Sequence, residues 1–240
     1  MKQILLITDG CSNVGISPTT AAAQARAEGI TVNVIGVVDQ GELGLLGAEE
    51  IRDIARAGGG MSRIATSQQL SQTIQMMTRR TVSQTVQQAV SRELHSILGS
   101  GDVTELPPAQ RSEVVRVIDD LAETGSLRVA LLVDASASMK PKMAAVRVAI
   151  SDLLLSLRAR SGQSELAVFH FPGHHSTDPE VEMDSGWTAN LANLDRMFYK
   201  LNMKGTTPTG PALLKVVQYV AEKPAYSSDD EDGMLRDYVV

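Results

Sequence analysis

An aspartate and two serines stand on alternate residues in Asp134-Ala135-Ser136-Ala137-Ser138, directly after the apolar run Leu131-Leu132-Val133. A second apolar run, Ile4-Leu5-Leu6-Ile7, leads through Thr8 into Asp9 and the turn residue Gly10. A third segment, Gly205-Thr206-Thr207-Pro208-Thr209-Gly210, sets three hydroxyls between two glycines. All of these are oxygen donors on segments that leave apolar strands or enter a helix. Mg²⁺ takes six oxygens in an octahedron and keeps several waters beside one or two carboxylates. Two aspartates with serine and threonine hydroxyls therefore suit a Mg²⁺ or Mn²⁺ site that leaves a position for one more ligand.

The elements that must position these residues follow from the apolar pattern. Residues 3–8 form a short continuous apolar run, as expected of a strand buried on both faces of a parallel sheet. Ser17-Pro18 starts a helix, with Ser as cap and Pro at the first helical position, and the helix runs to Gly29. Residues 30–38 read as a strand, 48–57 as a helix ended by Gly58-Gly59-Gly60, and 61–65 as a short strand. Strand alternating with helix points to a parallel sheet covered by helices.

Residues 67–98 break that rhythm. Leu70, Ile74, Met77, Thr81, Val82, Val86, Ala89, Val90, Leu94 and Ile97 recur at steps of three and four, which predicts one long amphipathic helix. Met76-Met77 reads as core. Gly99-Ser100-Gly101 ends the helix. A second helix follows Pro107-Pro108, with Val114, Val117, Ile118 and Leu121 on one face, and closes at Gly125. The alternation then resumes: strand 127–133, helix 142–159, strand 165–171, a weak edge strand near 181–183, a broken helix over 187–201, the Gly205 loop and a helix over 211–221. Ser227-Ser228-Asp229-Asp230-Glu231-Asp232 is an acidic low-complexity stretch.

The combination Asp-x-Ser-x-Ser, Gly-x-Thr and Asp, each at the end of an apolar strand or the start of a helix, resembles the metal-ion-dependent adhesion site of von Willebrand factor A domains. The family runs Asp-x-Ser-x-Ser, then Thr, then Asp, whereas here the last Asp comes first. The chain is therefore similar to a circularly permuted A domain, of the group found in endospore-forming bacteria. The resemblance implies an α/β fold with a doubly wound, mostly parallel six-stranded sheet and helices on both faces. Residues 1–66 would supply family strands 4–6, residues 67–125 a helical connector, residues 126–223 strands 1–3 with the metal loops, and residues 224–240 an acidic tail. Asp134 would then end family strand 1 and Asp9 family strand 4, adjacent where the strand order reverses. By the family pattern, Ser136, Ser138 and Thr207 bind the ion directly, and Asp134 and Asp9 act through waters. Thr207 fits Gly-x-Thr better than Thr206 or Thr209. The open position would take an Asp or Glu carboxylate from a partner protein.

Bulk properties limit the alternatives. A chain of 240 residues can bury one full core. The net charge of −6 argues against a nucleic-acid surface. Cys11 stands alone, which fits a reducing compartment, and no leader or membrane-spanning run is visible. A cytoplasmic location is expected, away from membranes. His170, His174 and His175 offer imidazoles for zinc, but they come without a cysteine and from strand and loop. Cys11 lacks a cationic neighbour in sequence to activate it. The Gly205–Gly210 loop lacks the Gly-Lys-Ser/Thr ending of a phosphate loop, and Lys140 stands too close to Ser138 for a Ser-x-x-Lys pair. The expectation is a non-enzymatic, metal-dependent protein-interaction module. The alternatives are a metal-assisted hydrolase and a structural assembly protein whose surface is the helical connector. Exchange of halves between two chains, giving a swapped homodimer, remains open.

Overall fold

A computed structural model describes residues 1–10, 12–38, 45–98, 106–173, 180–190 and 207–221. Six strands, β1 (Lys2–Thr8), β2 (Ile30–Val38), β3 (Gly59–Thr66), β4 (Leu127–Asp134), β5 (Ser164–Phe171) and β6 (Glu182–Thr188), form one sheet in the order β3-β2-β1-β4-β5-β6. Five strands are parallel, and β6 is antiparallel on the edge beside β5. The helices are α1 (Pro18–Ala27), α2 (Leu45–Ala57), α3 (Leu70–Leu98), α4 (Pro108–Thr124), α5 (Met143–Arg158) and α6 (Thr209–Ala221). This is the doubly wound, mostly parallel α/β sheet expected from the sequence.

Period-two alternation within otherwise continuous apolar strands divides the core into two layers. Leu5, Ile7, Ile35, Val37, Leu131, Val133 and Val168 pack on one face against α3 and α5. Ile4, Leu6, Val32, Val34, Ala130, Leu132, Ala167 and Phe169 pack on the other against α1, α2 and α6. With both faces covered, Ile4–Ile7 of β1 and Val129–Val133 of β4 are apolar at every position. From β1 the chain winds outward through α1 and α2 on one face, and from β4 it winds the opposite way through α5 on the other. The loops after β1 and β4 therefore part to opposite sides, which leaves a crevice between their carboxyl ends.

The connector differs from the sequence pattern. Along α3, Leu70, Ile74, Met77, Val82 and Val86 are buried, but Met76 is exposed and Ile97 is 68% exposed. The Met76-Met77 pair is thus split between surface and core. On α4 the expected apolar face does not close: Ile118 is buried, while Val117 and Leu121 are exposed. The sheet supplies no surface for the outer part of this helix pair. The expected helix from residue 187 is also corrected at its start, because Trp187 belongs to β6. Its ring stacks on Tyr219 of α6, with centroids 5.6 Å apart, and the Arg128 guanidinium lies 5.3 Å from it. These tertiary contacts outweigh the helical spacing. Residues 191–201, the acidic tail and Cys11 lie outside the described residues. Among the described residues no helix is long and apolar enough to cross a membrane.

A small group of buried polar residues, centred on Asn33, is built into the apolar layer under α3. Asn33 on β2 is fully buried and donates to Gln3 Oε1 (3.1 Å) and Thr81 Oγ1 (2.9 Å), while its Oδ1 accepts from Met61 N–H (2.9 Å). It ties β1, β2, β3 and α3 together. Asn33→Ala leaves Met61 N–H and Thr81 without that partner, and a cost of about 2–3 kcal/mol is expected in urea unfolding. A loss below about 0.5 kcal/mol would show that the network contributes nothing to stability.

Candidate metal centre

β4 is central and covered on both faces, so Asp134 at its end is fully buried. Pairing of Ile7 with Val133 brings the end of β1 alongside. Thr8 Oγ1 donates to Asp134 Oδ2 at 2.7 Å, and the Ser136 N–H donates to Asp134 Oδ1 at 2.8 Å. Burial pushes the Asp134 carboxyl above its ordinary range; the bonds from Thr8 and Ser136 oppose this, and the negative charge of Asp9 adds to it. No cationic group among the described residues bonds to Asp134.

The chain of oxygens continues outward. Ser136 Oγ lies 3.1 Å from Ser138 Oγ, and Ser138 Oγ donates to Asp9 Oδ1 at 2.8 Å. The Ser136 side chain also hydrogen-bonds to Asp134, so it bridges Asp134 and Ser138. Asp9 Oδ2 receives Lys142 Nζ at 2.5 Å. Asp134 and Ser136 are buried and Ser138 is exposed, so the row of oxygens opens to solvent at Ser138. Lys142 ends a 3-10 turn, Ala137–Lys142, that joins the serine loop to α5.

Thr207 reaches the same end of the sheet through the loop after Asp9. Its N–H donates to Asn13 Oδ1 at 2.9 Å, and its carbonyl accepts from Asn13 N–H at 3.2 Å and Ser12 Oγ at 3.4 Å. Glu50 Oε2 on α2 holds the Ser12 N–H at 2.8 Å. Thr207 is buried, and so is the neighbouring Thr209, whose hydroxyl has no hydrogen-bond partner among the described residues. Asp134, Ser136, Ser138 and Asp9 are thus linked in one hydrogen-bonded chain, and Thr207 is tied to the same loop as Asp9. Thr206 and Gly205 lie outside the described residues.

The donor set fits a hard dication. For metal–oxygen distances of about 2.1 Å, neighbouring ligands of an octahedron stand roughly 3.0 Å apart, close to the spacing of the two serine hydroxyls. A buried carboxylate with no cationic partner would gain most from such an ion. Asp134, Ser136, Ser138, Thr207 and Asp9 would hold it. No group of three or more His, Cys, Asp and Glu occurs among the described residues, so a nitrogen- or sulfur-rich site is not built there. His170 sits inside β5 and is buried, with Nδ1 2.7 Å from Asp184 Oδ2 on β6; His174 and His175 lie outside the described residues.

Thr8, Asn13 and Lys142 were not marked by the motifs. Thr8 could have been found by aligning the two strand ends in parallel register. Lys142 lies four residues after Ser138 in the same 3-10 helix, whereas Lys140, weighed in the sequence, is exposed.

The sheet order, the antiparallel edge strand and the crevice between β1 and β4 define a von Willebrand factor A-like α/β protein. No family model matches the chain. It is 44% identical over 235 residues to the uncharacterized protein YabS of Bacillus subtilis (strain 168), covering 96% of this chain and 95% of that protein. The chain belongs to the YabS family. The crystal structure of an uncharacterized protein from Alicyclobacillus acidocaldarius superposes with a TM-score of 0.83 at 41% identity, covering 91% of this chain and 92% of that one. Proximal thread matrix protein 1 of the mussel byssus, solved with a zinc-occupied MIDAS motif, matches at 17% identity with a TM-score of 0.27, too low to bear on this chain.

Proposed function

We propose that this chain is a circularly permuted A-type domain that captures a partner protein through a divalent metal ion. The observation that carries this reading is the hydrogen-bonded row Thr8–Asp134–Ser136–Ser138–Asp9, drawn from two loops that meet at the reversal of strand order and open to solvent at Ser138. Bound there, Mg²⁺ or Mn²⁺ supplies a Lewis-acidic anchor for an Asp or Glu carboxylate. The chain's own residues then have separate tasks. Thr8 and the Ser136 N–H fix the Asp134 carboxylate. Asp9 takes the Ser138 hydrogen, so Ser138 would meet the ion as an acceptor, through a lone pair. Asn13 holds the Thr207 segment against the loop that carries Asp9. Binding rather than turnover is the function inferred: the hydrogen-bonded groups are carboxylates, hydroxyls and an ion-paired lysine, and the His170 imidazole is engaged with Asp184.

Calorimetric titration of Mg²⁺ and Mn²⁺ into the wild type and Asp9→Ala, with and without acetate as a stand-in for the partner's carboxylate, tests this. One ion per chain is expected, with affinity at least about tenfold weaker in the variant. No binding by the wild type in either condition would sink the reading. Equal binding by both proteins would remove Asp9 from the site.

A further inference from the structure

The charge around Asp9 points to a role for Lys142. Asp9 has a side chain only 3% exposed, and both of its oxygens are engaged, one by Ser138 and the other by Lys142. The Lys142 side chain is itself 12% exposed. A lysine is seldom so covered unless it is paired, because its ammonium is strongly hydrated. Here the cover and the pairing have the same source, since the turn that presents Ser138 also carries Lys142 back over Asp9. Among the described residues Asp134, the other carboxylate, receives only neutral donors.

Formal charges show the consequence. Among the three groups Asp134, Asp9 and Lys142, with both aspartates ionised, the formal charges sum to one net negative charge, on the Asp134 side. A bound dication turns this into one net positive charge. A single carboxylate from outside brings the sum to zero. Without Lys142 the loaded site would already be neutral, and a partner's carboxylate would leave it negative in a crevice with little water to screen it.

We propose that Lys142 is the resident counter-ion of this site: it weakens capture of the metal alone and makes the metal-loaded site seek an anion, so that ion and carboxylate bind together. This rests on the reading of Asp134, Ser136, Ser138, Thr207 and Asp9 as the metal site. Lys142 acts on the metal through Asp9 and through space, and is in that sense a positioning and specificity residue. The ligand it selects is a carboxylate-bearing partner in preference to a neutral one.

The test is Mn²⁺ titration by calorimetry, with and without acetate, of the wild type, Lys142→Gln, Lys142→Arg and Lys140→Gln. Lys142→Gln is expected to bind Mn²⁺ alone about tenfold tighter, while acetate strengthens Mn²⁺ binding less than in the wild type. Lys142→Arg keeps the charge and should retain the wild-type enhancement by acetate. Lys140→Gln makes the same charge change at an exposed position and should leave both quantities unchanged. If Lys142→Gln binds Mn²⁺ no tighter than the wild type, or keeps the full acetate enhancement, the counter-ion role is overturned and the metal site stands. If Lys142→Gln does not fold, Lys142→Met, which keeps the apolar stem without the charge, carries the same expectation. If neither the wild type nor any variant binds Mn²⁺ under either condition, the metal reading fails and this inference fails with it.

Discussion

Asp134→Asn is expected to weaken metal binding at least about a hundredfold while making the metal-free protein more stable at neutral pH. The two effects have one cause. Burial at the end of β4 holds the Asp134 carboxyl above its ordinary range, with Thr8 and Ser136 offsetting part of the cost and Asp9 adding to it. A group whose folded pKa is raised contributes stability fully below its unfolded pKa, and that contribution is lost as pH rises through the folded value. For a carboxyl the loss begins above about pH 4, so the metal-free protein should become steadily less stable from there towards neutrality. Asparagine keeps an acceptor for the Ser136 N–H and removes the buried charge. In the presence of a chelator at pH 7, the variant should melt a few degrees above the wild type, since 1 kcal/mol shifts a chain of this size by roughly 2–4 °C. The wild type's loss of stability between pH 4 and 7 should be smaller in the variant. Scanning calorimetry with chelator and titration calorimetry with Mn²⁺ measure the two halves. A variant that melts lower than the wild type with an unchanged pH slope would show that the Asp134 charge is already compensated in the folded protein.

Gly210→Ala should damage both the fold and the site. Gly210 begins α6 where that helix presses on the segment leading into α1, and a Cβ there would fall on the Ile16 carbonyl oxygen, which is backbone and has little freedom to yield. Gly15 meets the same place from the other side: it has φ +87° and faces the Pro211 ring. The two segments can approach only because side chains are missing from both. Relief of the clash must move the start of α6, and with it Thr207, away from Asn13. A loss of about 3 kcal/mol, or roughly 6–12 °C in melting temperature, is expected, together with weaker Mn²⁺ binding in whatever fraction folds. Gly29→Ala is the comparison: it has a positive φ of 71° but no atom near its Cβ position. It should cost stability through backbone strain and leave the metal affinity alone. Equal effects of the two substitutions on Mn²⁺ affinity would show that close approach at Gly210 does not position Thr207.

The fold class was legible in the sequence, and all five candidate ligands, Asp134, Ser136, Ser138, Thr207 and Asp9, were named from its motifs. Continuous apolar runs of strand length, separated by helical spacing, require a parallel sheet covered on both faces, because nothing else buries such strands. Once Asp134 and Asp9 are read as the ends of two such strands, reversal of the winding between them places both carboxylates at one crevice. Local pattern suffices there because burial on both sides leaves β1 and β4 little choice of conformation.

Tertiary structure decided what depends on neighbours far away in sequence. Trp187 became a strand residue because Tyr219 and Arg128 cover its ring, and no local pattern announces that. The apolar positions of α4 looked like a core face, yet Val117 and Leu121 remain exposed, since periodicity shows only that a face exists and says nothing of what covers it. Thr8 and Lys142 carry no motif, and their importance comes from parallel register in one case and a six-residue 3-10 helix in the other. Composition and spacing determined that this chain folds as a doubly wound sheet with oxygen donors at its reversal point. Which charges face one another across that crevice was set by three-dimensional packing, because electrostatic pairing follows distance in space and not separation along the chain.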